Sequence, residues 1–314
     1  MSAFRTASGG RIDRSSPLSF TFDGETYRGY ARDTLASALL ANGVHLMGRS
    51  FKYHRPRGLV TAGSEEPNAL VGVGRDEAHY APNLRATQVE LYPGLKAESQ
   101  NRWPSLRYDV GATNDLLGKF FSAGFYYKTF MWPRSAWEKL YEPIIRRAAG
   151  LGRAPLEADP DRYSQRFAHC EVLIVGAGPA GIAAALKASE DPLQRVIFCD
   201  EQSEMGGSLL HETDAIVDGE AAPAFAMKSL HELRSRPNVT LLPRTTAFGF
   251  YPHNLLGLAE RVTEHLADPS PHLPRERLWQ VRAGRVVFAT GSIERPLVFP
   301  DNDRPGIMMA EAAR

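Results

Sequence analysis

Cysteine is scarce in this chain, whose 314 residues include only Cys170 and Cys199. Both fall in apolar stretches that we predict as buried strands. Single thiols in such positions behave as small core residues and do not make a disulfide framework. We therefore expect no disulfide and a reducing, cytoplasmic location.

The chain also lacks an excess of charge of either sign. Its 37 basic and 36 acidic residues leave a net charge of +1 with histidine neutral. A nearly neutral chain is not drawn in bulk to nucleic acid or to an anionic membrane, so we expect neither as a partner. No apolar run reaches the ~20 residues of a membrane-spanning helix.

Several motifs are missing as well. The nine histidines show no H-E-x-x-H or other paired metal spacing, and no G-x-S-x-G nucleophile elbow occurs. We therefore predict no metal ligand and no catalytic residue. The N-terminus has no apolar signal core. Arg5, Arg11 and Arg14 among serines and threonines could belong to a transit peptide, although a polar tail is the simpler interpretation.

Glycine, by contrast, is concentrated in one informative segment. The stretch CEVLIVGAGPAG, residues 170–181, predicts a buried strand, a G-x-G-x-x-G turn at Gly176, Gly178 and Gly181, and the start of a helix. In this motif the first glycine allows a tight turn, the second lets the backbone approach a pyrophosphate, and the third lets the helix pack closely on the sheet. The helix N-terminus then offers N–H groups to the phosphates. The segment predicts a dinucleotide site.

Other segments agree with this interpretation in order and spacing. A second predicted strand, 196–199, ends in Asp200 and Glu201, about where an acid binds the adenosine ribose. An acid at this point favours NAD or FAD over NADP, because it repels a 2′-phosphate. A glycine turn that binds nothing is the alternative. The predicted cofactor-binding residues are Gly176, Gly178, Pro179, Ala180, Gly181, Asp200, Glu201, Gln202, Gly207, Ser208, Thr246, Ala247, Thr290 and Gly291.

The coarse pattern predicts an α/β fold in three parts. Residues 1–110 show a hairpin with an Asp23–Gly24 turn, a helix capped by Asp33 and a strand at 86–91, which together predict a small β-grasp domain. Residues 111–168 form an aromatic-rich helical connector. Residues 169–314 form a Rossmann-type domain of the FAD/NAD(P) two-dinucleotide class, incomplete at its C-terminus.

Two further features have open interpretations. Aromatic residues crowd the stretch 120–141, where they either pack as core or form a docking surface for a partner chain, since interfaces are enriched in aromatics and arginine. A basic loop contains Arg49, Lys52, His54, Arg55 and Arg57. It could meet a flavin phosphate or an acidic partner, although a solvated loop is the more economical interpretation.

Long segments of the chain resemble the α subunits of heterotetrameric sarcosine oxidases. The segments that carry the resemblance are RSFKYHRPRGLVTAGSEEPN at 49–68, QNRWPSL at 100–106, GFYYKTFMWP at 124–133, WEKLYEP at 137–143 and RPLVFPDNDRPG at 295–306. The resemblance runs over the whole chain from about residue 9. Family α subunits are much longer, so the chain corresponds to their N-terminal part.

The resemblance implies a role in a complex of α, β, γ and δ subunits. Such a complex oxidises sarcosine with O2 to glycine and H2O2 and, with tetrahydrofolate, gives 5,10-methylenetetrahydrofolate. It implies NAD on this chain, and FAD and FMN on or shared with the β subunit. The alternatives are a subunit of a related flavin-dependent amine or amino-acid dehydrogenase, or a fragment of an FAD-dependent pyridine-nucleotide reductase.

The β-grasp part also resembles ferredoxin-like domains of related oxidoreductases. Those relatives place cysteines in the loop that follows the Arg-Pro-Arg-Gly segment. Residues 1–169 of this chain contain no cysteine, and a [2Fe–2S] cluster is usually held by four thiolates. The expectation is therefore a cluster-free domain with no iron–sulfur cofactor.

Overall fold

A computed structural model describes residues 4–116, 118 and 132–313. The chain divides into two compact units: Met1–Pro160 with Glu294–Arg314, called unit 1, and Asp161–Ile293, called unit 2. Two boundaries differ from the predicted ones. Unit 2 begins before residue 169 because its first strand is much longer than its apolar part. Residues from Glu294 onward group with unit 1 because Met308 packs against the unit 1 core and the Met309 N–H donates to the Val60 carbonyl.

Unit 1 is built on a mixed sheet of five strands. Its elements are β1 Asp13–Phe22, β2 Glu25–Ala31, α1 Leu35–Ala41, β3 Gly48–Arg49, β4 Pro56–Arg57, β5 Leu70–Val73, β6 Ala81–Arg85, β7 Lys96–Ser99 and α2 Glu142–Ala148. The strand order in the sheet is β2-β1-β7-β5-β6, in which β1 and β7 are parallel and the other neighbours are antiparallel. A hairpin, a helix and a central parallel pair make this a β-grasp arrangement.

The first hairpin forms where the sequence predicts it. Asp23 and Gly24 both have positive φ, 51° and 83°, as a two-residue turn matched to the strand twist requires. The helix begins one residue later than predicted: Thr34 caps α1 by accepting from the Ser37 N–H. Asp33 is instead buried, and its carboxylate accepts from the Arg5 guanidinium at 2.8 Å.

The predicted strand at 86–91 is wrong. Ala86 and Leu91 are buried as its apolar pattern requires, but the Gln88 and Val89 N–H groups both donate to the Arg85 carbonyl and so close a turn. The apolar residues enter the core between α1 and the sheet, which contains Phe20, Leu35, Leu39, Met47, Val71 and Leu95.

Unit 2 is built on a six-stranded sheet. The elements of unit 2 are β8 Tyr163–Val175, α3 Pro179–Ala188, β9 Val196–Cys199, β10 Ile216–Val217, β11 Glu220–Ala221, α4 Ala222–Ser235, β12 Val239–Leu242, β13 Thr245–Tyr251, β14 Leu255–Arg261 and β15 Glu276–Phe288. The strand order in the sheet is β12-β9-β8-β15-β14-β13, in which β12, β9, β8 and β15 run parallel and β14 and β13 continue antiparallel. A last short helix, α5 Ala310–Ala313, belongs to unit 1.

Both faces of the parallel strands are buried, which explains their continuous apolar runs. On one face Ile174, Val196 and Phe198 pack against Ile182 and Leu233 of helices α3 and α4. On the other face Leu173 and Val175 pack with residues of β14 and β15. The two cysteines are buried here with free thiols.

The aromatic connector is only partly described. Of its rings, Phe120, Phe121, Phe125, Tyr126, Tyr127 and Phe130 lie outside the described residues. Trp132 is exposed, and the Tyr141 hydroxyl donates to its carbonyl at 3.0 Å. Among the described residues, no helix is long and apolar enough to cross a membrane.

Candidate functional site

The candidate site lies at the carboxyl edge of the parallel strands of unit 2. Strand β8 ends at Val175 beside Cys199, the end of β9, and β15 ends at Phe288 opposite Val175. Ligands of open α/β sheets bind in the crevice outside these strand ends. The glycine turn at 176–181, the acidic pair after β9 and the Ala289–Gly291 turn therefore meet at one edge.

The three glycines of the G-x-G-x-x-G turn differ in what a side chain would meet at each position. Gly176 has a φ of +97°, and a Cβ there would collide with the Ala289 carbonyl. A Cβ on Gly181 would collide with the Gly176 carbonyl, so only glycine lets α3 sit this close to the turn. Gly178 differs from both, because a Cβ built on it has no atom within 4 Å. Gly178 is also the N-cap residue of α3.

A second glycine pair, Gly206 and Gly207, lies close to the backbone of the glycine turn. Gly207 has a φ of +53°, and its Cβ position lies 2.7 Å from the Gly178 Cα. Gly206 has a φ of +142°. Two backbone segments thus approach each other without side chains between them. Ser208 follows in the same short helical turn, where its carbonyl accepts from the His211 and Glu212 N–H groups.

The N-terminus of α3 carries no side-chain cap. Gly178 is the N-cap residue with φ −73°, and Pro179 occupies the first turn. The first N–H groups of a helix lack internal partners and carry a partial positive charge. Pro179 and Ala180 are exposed. This end of the helix is suited to an anionic group such as a pyrophosphate.

Asp200 braces the glycine turn. Its Oδ2 accepts from the Ala177 N–H at 2.6 Å, and its Oδ1 accepts from the Gln202 N–H at 2.8 Å. Burial raises the pKa of this carboxyl, and the two backbone hydrogen bonds oppose that shift. Each carboxylate oxygen accepts more than one hydrogen bond, so Asp200 keeps capacity for a ribose hydroxyl.

The residues beside Asp200 are held by the third strand and its neighbours. The Arg244 N–H donates to the Gln202 carbonyl at 2.9 Å, and the Thr245 N–H donates to the Asp200 carbonyl at 2.7 Å. Arg261 donates from Nη2 to the Glu201 carbonyl at 2.8 Å. These bonds place the start of β13, with Thr246 and Ala247, next to the acidic pair.

Most predicted site residues therefore lie at one edge of the sheet. Some residues that hold them in place were not predicted from the sequence. Thr290 is exposed and Gly291 has a φ of +71° in open space beside the glycine turn. The missed residues are Ala177 and Thr245, which donate backbone N–H groups to Asp200, and Arg261, whose guanidinium donates to the Glu201 carbonyl. No sequence signal identifies them, because their partners lie far away along the chain.

The basic loop of unit 1 is less free than its composition suggests. Arg49 donates from Nε to the Leu106 carbonyl at 2.9 Å. His54 Nδ1 lies 2.6 Å from Asp109 Oδ2, and Asp109 is fully buried at its side chain. Arg55 pairs with Asp301 and Asp303 at 3.1 and 3.0 Å. The simple solvated-loop interpretation therefore fails for these three side chains.

Comparison with known proteins gives two family matches. The model described as "2Fe-2S iron-sulfur cluster binding domain" matches residues 15–102, and the model described as "FAD binding domain" matches residues 171–246. The two matched ranges fall in unit 1 and unit 2 respectively.

The resemblance to sarcosine oxidase α subunits is confirmed. The chain is 61% identical over all 314 residues to sarcosine oxidase subunit alpha of Rhizobium meliloti (strain 1021), of which it covers 32%. It is 38% identical to the same subunit of Corynebacterium sp. (strain P-1) over 97% of this chain and 27% of the relative. The chain thus spans 32% and 27% of the lengths of these two relatives.

A solved structure shares the fold. L-proline dehydrogenase from P. horikoshii superposes with a TM-score of 0.59 at 19% identity, over 98% of this chain and 46% of that one. At this identity the likeness shows the fold alone.

The family matches correct two cofactor predictions. The expectation of a cluster-free N-terminal domain, with no iron–sulfur cluster, is wrong at the level of the family, since residues 15–102 match a 2Fe-2S cluster-binding domain. That expectation relied on the cysteine count, whereas the match reflects the whole domain pattern. FAD was expected on or shared with the partner β subunit, whereas residues 171–246 of this chain match an FAD-binding domain.

Unit 1 does not contain the four cysteine thiolates that usually hold a [2Fe–2S] cluster. Both cysteines of the chain, Cys170 and Cys199, lie in unit 2 and outside the matched residues 15–102. Cluster ligands are usually cysteine thiolates.

Proposed function

We propose that unit 2 binds an adenine dinucleotide at the carboxyl edge of its parallel strands, with the pyrophosphate over Gly178. The observation that carries the proposal is the contrast among the glycines: Gly176, Gly181 and Gly207 face backbone atoms, whereas Gly178 faces open space at an uncapped helix start. If the loop served only to reverse the chain, residue 178 would not need to be glycine, because a φ of −73° suits any residue.

The remaining predicted residues define the adenosine side. Asp200 and Glu201 would accept from the ribose hydroxyls, with Gln202 and Ser208 flanking them. Thr246 and Ala247 would lie against adenine, where small side chains leave room for a flat ring. Thr290 and Gly291 would border the other end of the pyrophosphate. The hydrogen bonds of Arg244, Thr245 and Arg261 to this segment support the placement.

FAD is the dinucleotide that the comparisons support. The FAD-binding match covers the glycine turn, the acidic pair and Thr246. The sequence interpretation assigned NAD, which shares the ADP half that all these residues would contact, so the contacts alone do not separate the two. When bound, the flavin or nicotinamide supplies two-electron transfer. The residues of this chain bind and orient the ADP half.

The larger role that we propose is that of the N-terminal part of a sarcosine oxidase α subunit. The support is 61% identity over the whole chain to a sarcosine oxidase subunit alpha. The reaction would convert sarcosine and O2 to glycine and H2O2, with tetrahydrofolate taking the one-carbon unit, in a complex with β, γ and δ subunits. Two buried free thiols suit the reducing cytoplasm that the proposal includes.

The ligand is tested on the purified 314-residue chain. Heat-released ligand should show the visible absorption band of a flavin, and the emptied protein should bind added FAD with quenching of flavin fluorescence. Titrations with NAD and NADP run beside it. NADP should bind at least about tenfold more weakly than NAD, since the acidic pair repels the 2′-phosphate. Failure to bind either FAD or NAD would refute the dinucleotide site, and binding of NAD alone would restore the first assignment.

The larger role has its own test. We expect no H2O2 from sarcosine with this chain alone, and production once it is part of the full-length subunit co-expressed with its partners. H2O2 from the isolated chain would contradict the proposed division of labour.

A further inference from the structure

A cavity of about 290 Å³ opens in unit 1, in the domain that precedes the dinucleotide site. Its wall comes from four separate parts of the chain: the β3 strand with the residues after it, β4, the stretch that leads into β5, and the residues after β7. Gly150 of the connector closes one side, because its Cβ position overlaps the Phe51 ring. The volume is at the lower end of the range for small-molecule pockets.

One side of the cavity is apolar. Phe51 and Leu70 line it together with Pro67. The Phe51 side chain is 52% exposed, although it is held against Gly150 on its other side. A half-exposed ring at the mouth of a concave site can cover an apolar or aromatic group.

The other side is polar and largely fixed in place. The Asn101 amide donates from Nδ2 to the Ser50 carbonyl at 2.9 Å, and Gln100 exchanges two hydrogen bonds with Asn83, at 2.7 and 2.9 Å. Asn68 is half-buried, and its side chain makes no hydrogen bond to any described residue. Arg57 bonds to Asp303 through Nη1, which leaves its Nε and Nη2 without a partner among the described residues.

The charge around Arg57 is unbalanced. Among the described residues, Arg55, Arg57 and Arg304 pair only with Asp301 and Asp303. In the part of the cavity wall that the structure describes, Arg49 and Arg57 are the charged residues and no carboxylate is present. Burial, and then repulsion by Arg55 and Arg304, lowers the pKa of Arg57. An anion in the cavity would offset both effects.

We propose that this cavity binds a small organic anion, whose carboxylate or phosphate accepts hydrogen bonds from Arg57 and Asn68 and whose apolar body lies against Phe51 and Leu70. The proposal rests on unit 1 alone and is independent of the dinucleotide site. Two donors with free hydrogen-bonding capacity beside an apolar surface select an amphipathic anion over a bare one.

The experiment uses four probes in calorimetric titrations of the 314-residue chain. Phenyl phosphate and benzoate carry both an anion and a ring, inorganic phosphate carries only the anion, and phenol carries only the ring. We expect phenyl phosphate or benzoate to bind at least about tenfold more tightly than the two half-probes. The stronger of the two ring-bearing anions then shows whether the site takes phosphates or carboxylates.

Variants locate the binding. Asn68→Asp places a carboxylate beside the expected anion and should weaken the stronger probe at least about tenfold. Ser8→Asp adds the same charge at an exposed loop of unit 1 and should leave the affinity within about twofold. Arg57→Lys keeps the charge but removes the planar fork and should also weaken binding. Thermal unfolding checks that each variant folds.

Two results would overturn the proposal. One is that neither phenyl phosphate nor benzoate binds, whether or not inorganic phosphate does. The other is binding that a folded Asn68→Asp protein retains unchanged.

Discussion

The Asp200 carboxylate accepts a hydrogen bond from the Ala177 N–H at 2.6 Å, across 23 positions of sequence. This bond ties the end of β9 to the glycine turn that follows β8. The acidic residue predicted to bind ribose is therefore also part of the scaffold that shapes the turn, and its replacement has two separable effects.

The first effect is on stability. Asp200→Ala leaves the Ala177 and Gln202 N–H groups without their acceptor, and each such loss costs about 1–3 kcal/mol when the group is buried. We expect a lower free energy of unfolding for the ligand-free chain in urea. Asp214→Ala, at an exposed carboxylate, is the matched control and should change it little. Equal effects of the two substitutions would show that the Asp200 bonds contribute nothing.

The second effect is a pH dependence. Burial raises the folded-state pKa of Asp200 above its ordinary value of 3.8. Between the unfolded and folded pKa values the folded chain binds more protons than the unfolded one, so stability falls as the pH rises through this window. Relative to Asp200→Asn, the wild-type chain should lose unfolding free energy from pH 3.8 upward. A wild-type advantage that grows with pH across the window would reverse the sign.

The two thiols should be unreactive in the folded chain. Burial raises the pKa of Cys170 to about 11 and that of Cys199 to about 12. Reaction requires the thiolate, so a colorimetric thiol reagent at pH 8 should label neither until urea unfolds the protein, and then label both. Rapid labelling of the native chain would contradict the buried positions.

A buried carboxylate should also matter in unit 1. Glu66 has no exposed surface, and its Oε2 accepts from the Val60 and Thr61 N–H groups, each at 2.8 Å. Glu66→Gln removes the negative charge that strengthens these hydrogen bonds, which contribute about 1.5–3 kcal/mol each. We expect a clear drop in thermal stability, with Glu157→Gln, at an exposed position, unchanged. An unaltered melting temperature for Glu66→Gln would show that the loop does not depend on this carboxylate.

Local chemistry explains which parts of the fold the sequence could predict. The Asp23–Gly24 turn and the roles of the glycines in 176–181 depend on backbone conformations that few residues allow, so their identity is visible in the sequence. The predicted strand 196–199 is confirmed, because buried parallel strands read as continuous apolar runs.

Contacts between distant positions explain what the sequence could not predict. Thr34 and Asp33 are both good helix caps, and Asp33 is removed from that role by its pairing with Arg5. The turn at Arg85 replaces a strand although Ala86 and Leu91 are buried. In the candidate site, the bonds of Asp200 to Ala177 and of Arg261 to Glu201 join residues that no local pattern relates.

Gly178 and Gly181 lie in the same turn but differ in what a side chain would meet there. Gly178→Ala adds a methyl group to open space at an ordinary φ of −73°. We expect the variant to melt as the wild type does and to bind FAD at least about tenfold more weakly, because the methyl group occupies the proposed pyrophosphate position. Gly181→Ala forces a Cβ against the Gly176 carbonyl and should instead lower the melting temperature. Unchanged FAD affinity in a normally folded Gly178→Ala protein would contradict the proposed site.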